Sequence, residues 1–158
     1  MKCYQSAHDL LEDPEVVGAD LGRLAYRLDM KDTAEVLFRR FLAANPDATE
    51  VANNLACVLR DRQAYEEAID TLKPAIAIAP TSSLLWNTLG TVLSEQGDRQ
   101  TAMVFYREAL NNDPQFAKAL YNLGNGKLFL GDPDGALDDC NGAMAMRTTP
   151  DEAAMMRL

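Results

Sequence analysis

One histidine, one tryptophan and three cysteines in 158 residues leave little for metal or redox chemistry to use. His8 is a lone imidazole, read here as an exposed helix residue, and zinc needs a cluster of strong ligands that nothing supplies. The same shortage removes a serine–histidine–acid constellation, so no catalysis is expected of this chain. Cys3, Cys57 and Cys140 are odd in number and widely spaced, with no CxxC, which argues against a disulfide framework. Long apolar runs are missing too. The longest, 75–79, is far below the roughly 20 residues that a membrane-spanning helix requires. Near the N-terminus Asp9, Glu12, Asp13 and Glu15 interrupt any stretch that could serve as a signal peptide. No basic run exists, and 24 acidic against 15 basic residues give a net charge of −9, which repels nucleic-acid phosphates and anionic membranes. The expectation is a cytoplasmic chain with no cofactor, no metal, no nucleic-acid partner and no membrane insertion.

What the chain has instead is repetition. Leu55, Leu89 and Leu123 are each followed by a small residue: Ala56, Gly90 and Gly124. Thirteen residues after each leucine stands an alanine (Ala68, Ala102, Ala136), and seven further on another (Ala75, Ala109, Ala143). Leu21, Gly22 and Ala34 hold the same places 34 residues earlier, with Phe41 in the last. Pro46, Pro80 and Pro114 close the units at the same period. A fixed period of this length signals a solenoid, whose units stack on their neighbours and share no single central core. Hydrophobic residues at 47% and charged residues at 25% are ordinary for a globular chain, so composition does not oppose that reading.

Each unit divides into two helical stretches with a short break, as in 82–96 and 99–112. Apolar residues recur at three and four in the first (Leu85, Leu89, Val92, Leu93) and in the second (Ala102, Phe105, Tyr106, Ala109, Leu110). The small residues let the two helices of a pair approach closely, with Trp86 and Tyr106 filling the space between pairs. Cys140 holds the place of Tyr106 one repeat later and is read as a packing residue. Gly97 and Gly131 suit a left-handed turn between helices, and Asp47 and Thr81 are read as N-caps.

The third unit runs Trp86-Asn87-Thr88-Leu89-Gly90 through Ala102, Tyr106, Ala109 and Pro114. It resembles the W-x2-L-G…A-x3-F…P pattern of the tetratricopeptide repeat (TPR) family. Tyr121-Asn122-Leu123-Gly124-Asn125 is similar, while the first unit departs most, with Gly18 in the place of Trp86. The resemblance covers about 15–150 and implies an all-α fold, a right-handed α-α superhelix of antiparallel helix pairs. The register places repeats at 15–48, 49–82, 83–116 and 117–150. Residues 1–14 then read as the second helix of a partial repeat, because Tyr4 and Ala7 stand 34 before Phe38 and Phe41. Residues 151–158 read as the start of a fifth, as though the chain were cut from a longer repeat protein.

Two local patterns imitate active motifs. Gly124-Asn125-Gly126-Lys127 is followed by leucine, lacks the upstream glycine and falls within a predicted helix, so it is not a phosphate loop. Asp132-Pro133-Asp134-Gly135 has too few ligands for calcium and reads as a turn.

The resemblance implies a protein-binding scaffold, because in this family the first helix of each pair lines a concave groove for a partner peptide. Register carries that role onto Arg23, Tyr26 and Arg27 in the first unit and Asn53, Asn54 and Arg60 in the second. In the third it falls on Asn87, Thr88 and Thr91, and in the fourth on Lys118, Tyr121, Asn122 and Asn125. Cys57 lies on the same face as a small liner. Four basic residues there (Arg23, Arg27, Arg60, Lys118) meet four acidic ones (Asp20, Glu50, Asp61, Glu95), so the groove is near neutral. Asparagine amides offer both a donor and an acceptor to a peptide backbone. A basic clamp for a C-terminal carboxylate, known in chaperone-binding members, is not expected, since Thr88 and Glu95 stand where basic character is needed. Two alternatives accompany the scaffold. One is the recruiting arm of a larger enzyme such as a glycosyltransferase. The other is a self-assembling homo-oligomer whose terminal faces carry Met144, Met146, Met155 and Met156.

Gly135 and Gly142 weaken the last helix, each by ~1 kcal/mol relative to alanine. The C-terminal helix pair is therefore expected to fray first. Amide exchange should be fastest there, and slowest exchange in 133–158 would count against this.

Overall fold

A computed structural model describes residues 14–147 of the chain, all in helices and short turns without a strand among them. The helices are α1 (Pro14–Arg27), α2 (Lys31–Ala44), α3 (Thr49–Asp61), α4 (Tyr65–Ile78), α5 (Ser83–Gln96), α6 (Arg99–Asn112), α7 (Ala117–Phe129) and α8 (Pro133–Arg147). The predicted all-α class is what the structure shows. Expectations placed on 1–13 and 148–158, including His8, Cys3, the partial repeats and Met155 and Met156, lie outside the described residues. So do the side chains of Cys140, Met144 and Met146.

Two compact units follow in order, one holding α1–α4 and the other α5–α8. In the first, α1 packs on α2, α3 on α4, and α2 on α3, with α1 beside α3. The second repeats that scheme: α5 on α6, α7 on α8, α6 on α7, and α5 beside α7. Within each unit, connections of two to four residues turn each helix back against the one before it, so paired helices run antiparallel.

The pairing depends on a small residue opposite a large one. A Cβ at Gly22 would clash with the Phe38 ring, 2.6 Å from Cδ1, and one at Gly90 would stand 2.7 Å from Tyr106 Cε1. Phe38 is fully buried and Tyr106 is 4% exposed. In the second repeat the same places hold Ala56 and Leu72, both fully buried: a methyl is added on one side and an aromatic ring becomes leucine on the other. Overpacking here would force strained rotamers, so the two places must change together. The structure refines the expected aromatic roles. Tyr106 fills its own pair as well as a cluster with Met103 and Leu123, and Trp86 stacks on Phe105 within its pair, centroids 5.6 Å apart and planes 10° from parallel.

The fourth repeat departs at one contact. Lys127 Nζ lies 2.8 Å from Asp139 Oδ2, within ion-pair reach though not aligned as a hydrogen bond. Thirty-four residues earlier the same places hold Leu93 and Phe105. An ion pair thus replaces apolar packing between α7 and α8, a weaker source of stability when it is removed from water.

Corners are where the sequence reading needs correction. Asp47 and Thr81 do not cap; the N-caps are Ala48 and Ser82, one residue later, with no side-chain capping bond. Asp47 lies in a four-residue turn closed by main-chain bonds such as Ala48 N to Asn45 O at 3.1 Å. Capping side chains occur instead before second helices. Asp98 accepts from Thr101 N at 3.1 Å, and Asp132 accepts from Gly135 N at 3.0 Å, so the apparent calcium loop is a helix start. Gly97 and Gly131 take positive φ, as read from the sequence, at 111° and 83°. Asp29 and Gln63 hold the same register at 58° and 62°, where a side chain costs about 1–2 kcal/mol.

Gln63→Gly is accordingly expected to raise stability by about 1 kcal/mol and Gly97→Gln to lower it by a similar amount. Urea-unfolding midpoints would show this, and a lower midpoint for Gln63→Gly would refute the account.

Candidate functional site

First helices of successive repeats lie side by side within each unit, which brings their polar stripes onto one face. In the first unit that face is closed by its own charges. Tyr26 on α1 donates from its hydroxyl to Asp61 Oδ2 at 2.7 Å, and Arg60 donates to Asp61 Oδ1 at 3.1 and 2.6 Å. Arg23 pairs with Asp20 and lies 3.7 Å from Glu50 across on α3. Burial, followed by the hydrogen bond to Asp61 and its charge, holds the Tyr26 phenol above its ordinary range. For Asp61, burial alone would raise the carboxyl, but the bonds from Tyr26 and Arg60 outweigh it and hold it below the usual carboxylate range. Arg27 is exposed, and Asn54 and Cys57 are half-buried. Asn53 is only 6% exposed and its Oδ1 accepts no bond among the described residues.

In the second unit amides take the place of charges. Asn122 Nδ2 on α7 donates to Asn87 Oδ1 on α5 at 2.9 Å and, at longer range, to Thr91 Oγ1 at 3.5 Å. Thr91 in turn donates to Asn87 O at 2.9 Å. With its nitrogen committed in this way, the Asn122 oxygen is the atom left for a ligand. Asn87 and Thr88 are each 4% exposed, and the Thr88 hydroxyl donates to Leu84 O at 2.9 Å. They support the face from behind, as Asn53 does in the first unit, because the stripe given by helical register fixes direction but not depth.

A cavity of about 190 Å³ opens between α5 and α7. Thr91, Ser94 and Glu95 form one wall, Asn122, Asn125 and Gly126 the other, and Tyr106 and Arg99 complete it from α6. Lys118, Tyr121 and Asn125 are exposed along α7, followed by Leu128 and Phe129 at 58% and 64%. Of the sequence-predicted residues, Thr91, Asn122 and Asn125 therefore meet at one cavity, with Lys118 and Tyr121 on the same helix. Arg99 was missed because register logic drew only on first helices; it opens a second helix two residues after Gly97.

A larger space, about 450 Å³, lies in the first unit beside α2 and α4, lined by Leu42, Pro46, Leu55 and Pro74 among others. Its one cation, Arg39, is already bonded to Glu35 at 3.0 Å and Glu67 at 2.6 Å. No group of three or more metal-binding side chains occurs among the described residues, and no described helix is long and apolar enough to cross a membrane.

The Asp61 network makes a pH prediction. A carboxyl held low in the fold adds stability above the ordinary range near about 3.9, and this is lost as pH falls through the lowered value. Tyr26→Phe should cost below about 1 kcal/mol at pH 7, since the pair is partly exposed, and less at about pH 2. Equal costs at both pH values, by urea unfolding, would contradict the network.

Comparison with known proteins agrees with this geometry. Tetratricopeptide repeat models match residues 19–83 and 84–116. The chain is 43% identical over 157 residues to Protein FlbA of Caulobacter vibrioides, covering 99% of this chain and 26% of that protein. It is 35% identical over 81 residues to a peroxisomal targeting signal receptor of Candida albicans, covering 51% of this chain and 14% of the receptor. The crystal structure of a thermophilic TPR protein of Thermus thermophilus superposes with a TM-score of 0.77 at 23% identity, over 85% of this chain and 75% of that one. This chain spans about a quarter of FlbA's length, so the likeness concerns a segment of that protein. With the 34-residue helix pairs, the paired small and large residues and the matched models in agreement, the chain belongs to the tetratricopeptide repeat family.

Proposed function

We propose that this chain is a non-catalytic interaction module that holds a segment of a partner protein against its first-helix faces, chiefly that of α5 and α7. One observation carries the reading: Asn122 is held rigid by Asn87 and Thr91 beside an open cavity, with Asn125 and Tyr121 exposed next to it. A surface fixed before binding lowers the ordering cost of capture, and an exposed tyrosine supplies contact area at little entropy cost. The first unit's face spends its Tyr26 and Arg60 donors on Asp61, which makes it the lesser contributor. The relative named as a targeting signal receptor lends support by analogy, as fold alone does not fix function. A second reading, the recruiting arm of a longer protein, draws on the match to only 26% of FlbA and uses the same surface.

The test is retention of a nine-residue, N-acetylated and C-amidated random peptide library on the immobilised full chain. Tyr121→Ala and Asn125→Ala, both exposed, should each weaken the selected peptides by about tenfold, in line with truncation of interface anchors. Failure to retain any peptide, or indifference to both substitutions, would sink the reading.

A further inference from the structure

We infer that Arg99 makes the α5–α7 cavity a receptor for a carboxylate side chain, an aspartate or glutamate inside the bound segment. This rests on the groove reading and adds the chemistry of its ligand. Arg99 is half-buried at the start of α6, and its guanidinium carbon lies 4.1 Å from the centroid of the Phe129 ring. A guanidinium held over a ring face still has N–H groups to offer other partners. Among the described residues no carboxylate lies within ion-pair distance of it, whereas Arg23, Arg39, Arg60 and Arg62 each hold one. In a chain with 24 acidic and 15 basic residues, a stacked arginine without an acid is a donor set kept open.

The surroundings suit a carboxylate. Ser94 and Asn125 line the same cavity and can each donate a further hydrogen bond. A cavity of about 190 Å³ has room for one acidic side chain. On α7, Tyr121 and Leu128 are exposed about one turn before and one turn after Asn125, so apolar contact continues on both sides of the cavity. A ligand running along that helix places an internal side chain in it, not its chain terminus. Glu95, which also lines the cavity, opposes a second negative charge and moderates the preference.

The peptide library described above decides the matter, prepared with amidated and with free C-termini. Aspartate and glutamate should be enriched at one position in both forms. Arg99→Gln should weaken the acidic peptides by about tenfold, the effect of losing a charged hydrogen bond, and Glu95→Gln should strengthen them. Glu95 is exposed and Arg99 half-buried, each at a helix end, and a circular dichroism spectrum matching the parent checks the fold. Acidic enrichment unchanged by Arg99→Gln, enrichment of non-acidic residues, or dependence on a free C-terminus overturns the inference while the groove reading stands. Retention of no peptide at all overturns both.

Discussion

The close approach of two helices within each repeat is the constraint on which the rest depends. Gly22 under Phe38, Ala56 with Leu72 and Gly90 under Tyr106 set how near the second helix can come to the first. Once that contact is made, the apolar stripe of each first helix is spent. Its remaining stripe must then be polar or exposed, and within each unit neighbouring first helices present it together. A shared polar face is thus a by-product of packing, and its chemistry is free to differ from repeat to repeat because packing does not use it.

That freedom shows in the contrast between the units. In α1 and α3 the face is occupied by Tyr26, Arg60 and Asp61, which satisfy one another. In α5 and α7 a short amide chain from Asn122 to Asn87 and Thr91 stiffens the face without closing it. Ion pairing consumes donors and acceptors in matched numbers, whereas an amide that donates inward still has an oxygen to offer. The second unit therefore keeps polar groups at its surface of a kind that the first has turned into internal structure.

Family membership and the relatives found fit a module that serves by contact. FlbA shares nearly the whole of this chain in a protein about four times as long, and the targeting signal receptor shares about half of it. No group of three or more metal-binding side chains occurs among the described residues.

The sequence by itself determined the period, the helix pairs, the left-handed corners at Gly97 and Gly131, and the stripe to which Thr91, Asn122 and Asn125 belong. These are local or periodic properties, and small residues 34 apart announce them. Tertiary structure alone decided depth and partnership. It buried Asn53, Asn87 and Thr88, committed Arg60 and Tyr26 to Asp61, and placed left-handed backbone at Asp29 and Gln63, where no glycine marks it. It also brought Arg99 from a second helix onto Phe129 at the mouth of a cavity between two first helices. Helical register fixes the direction in which a side chain leaves its own helix; what it meets there is set by the neighbouring helices, which the spacing of one helix does not encode.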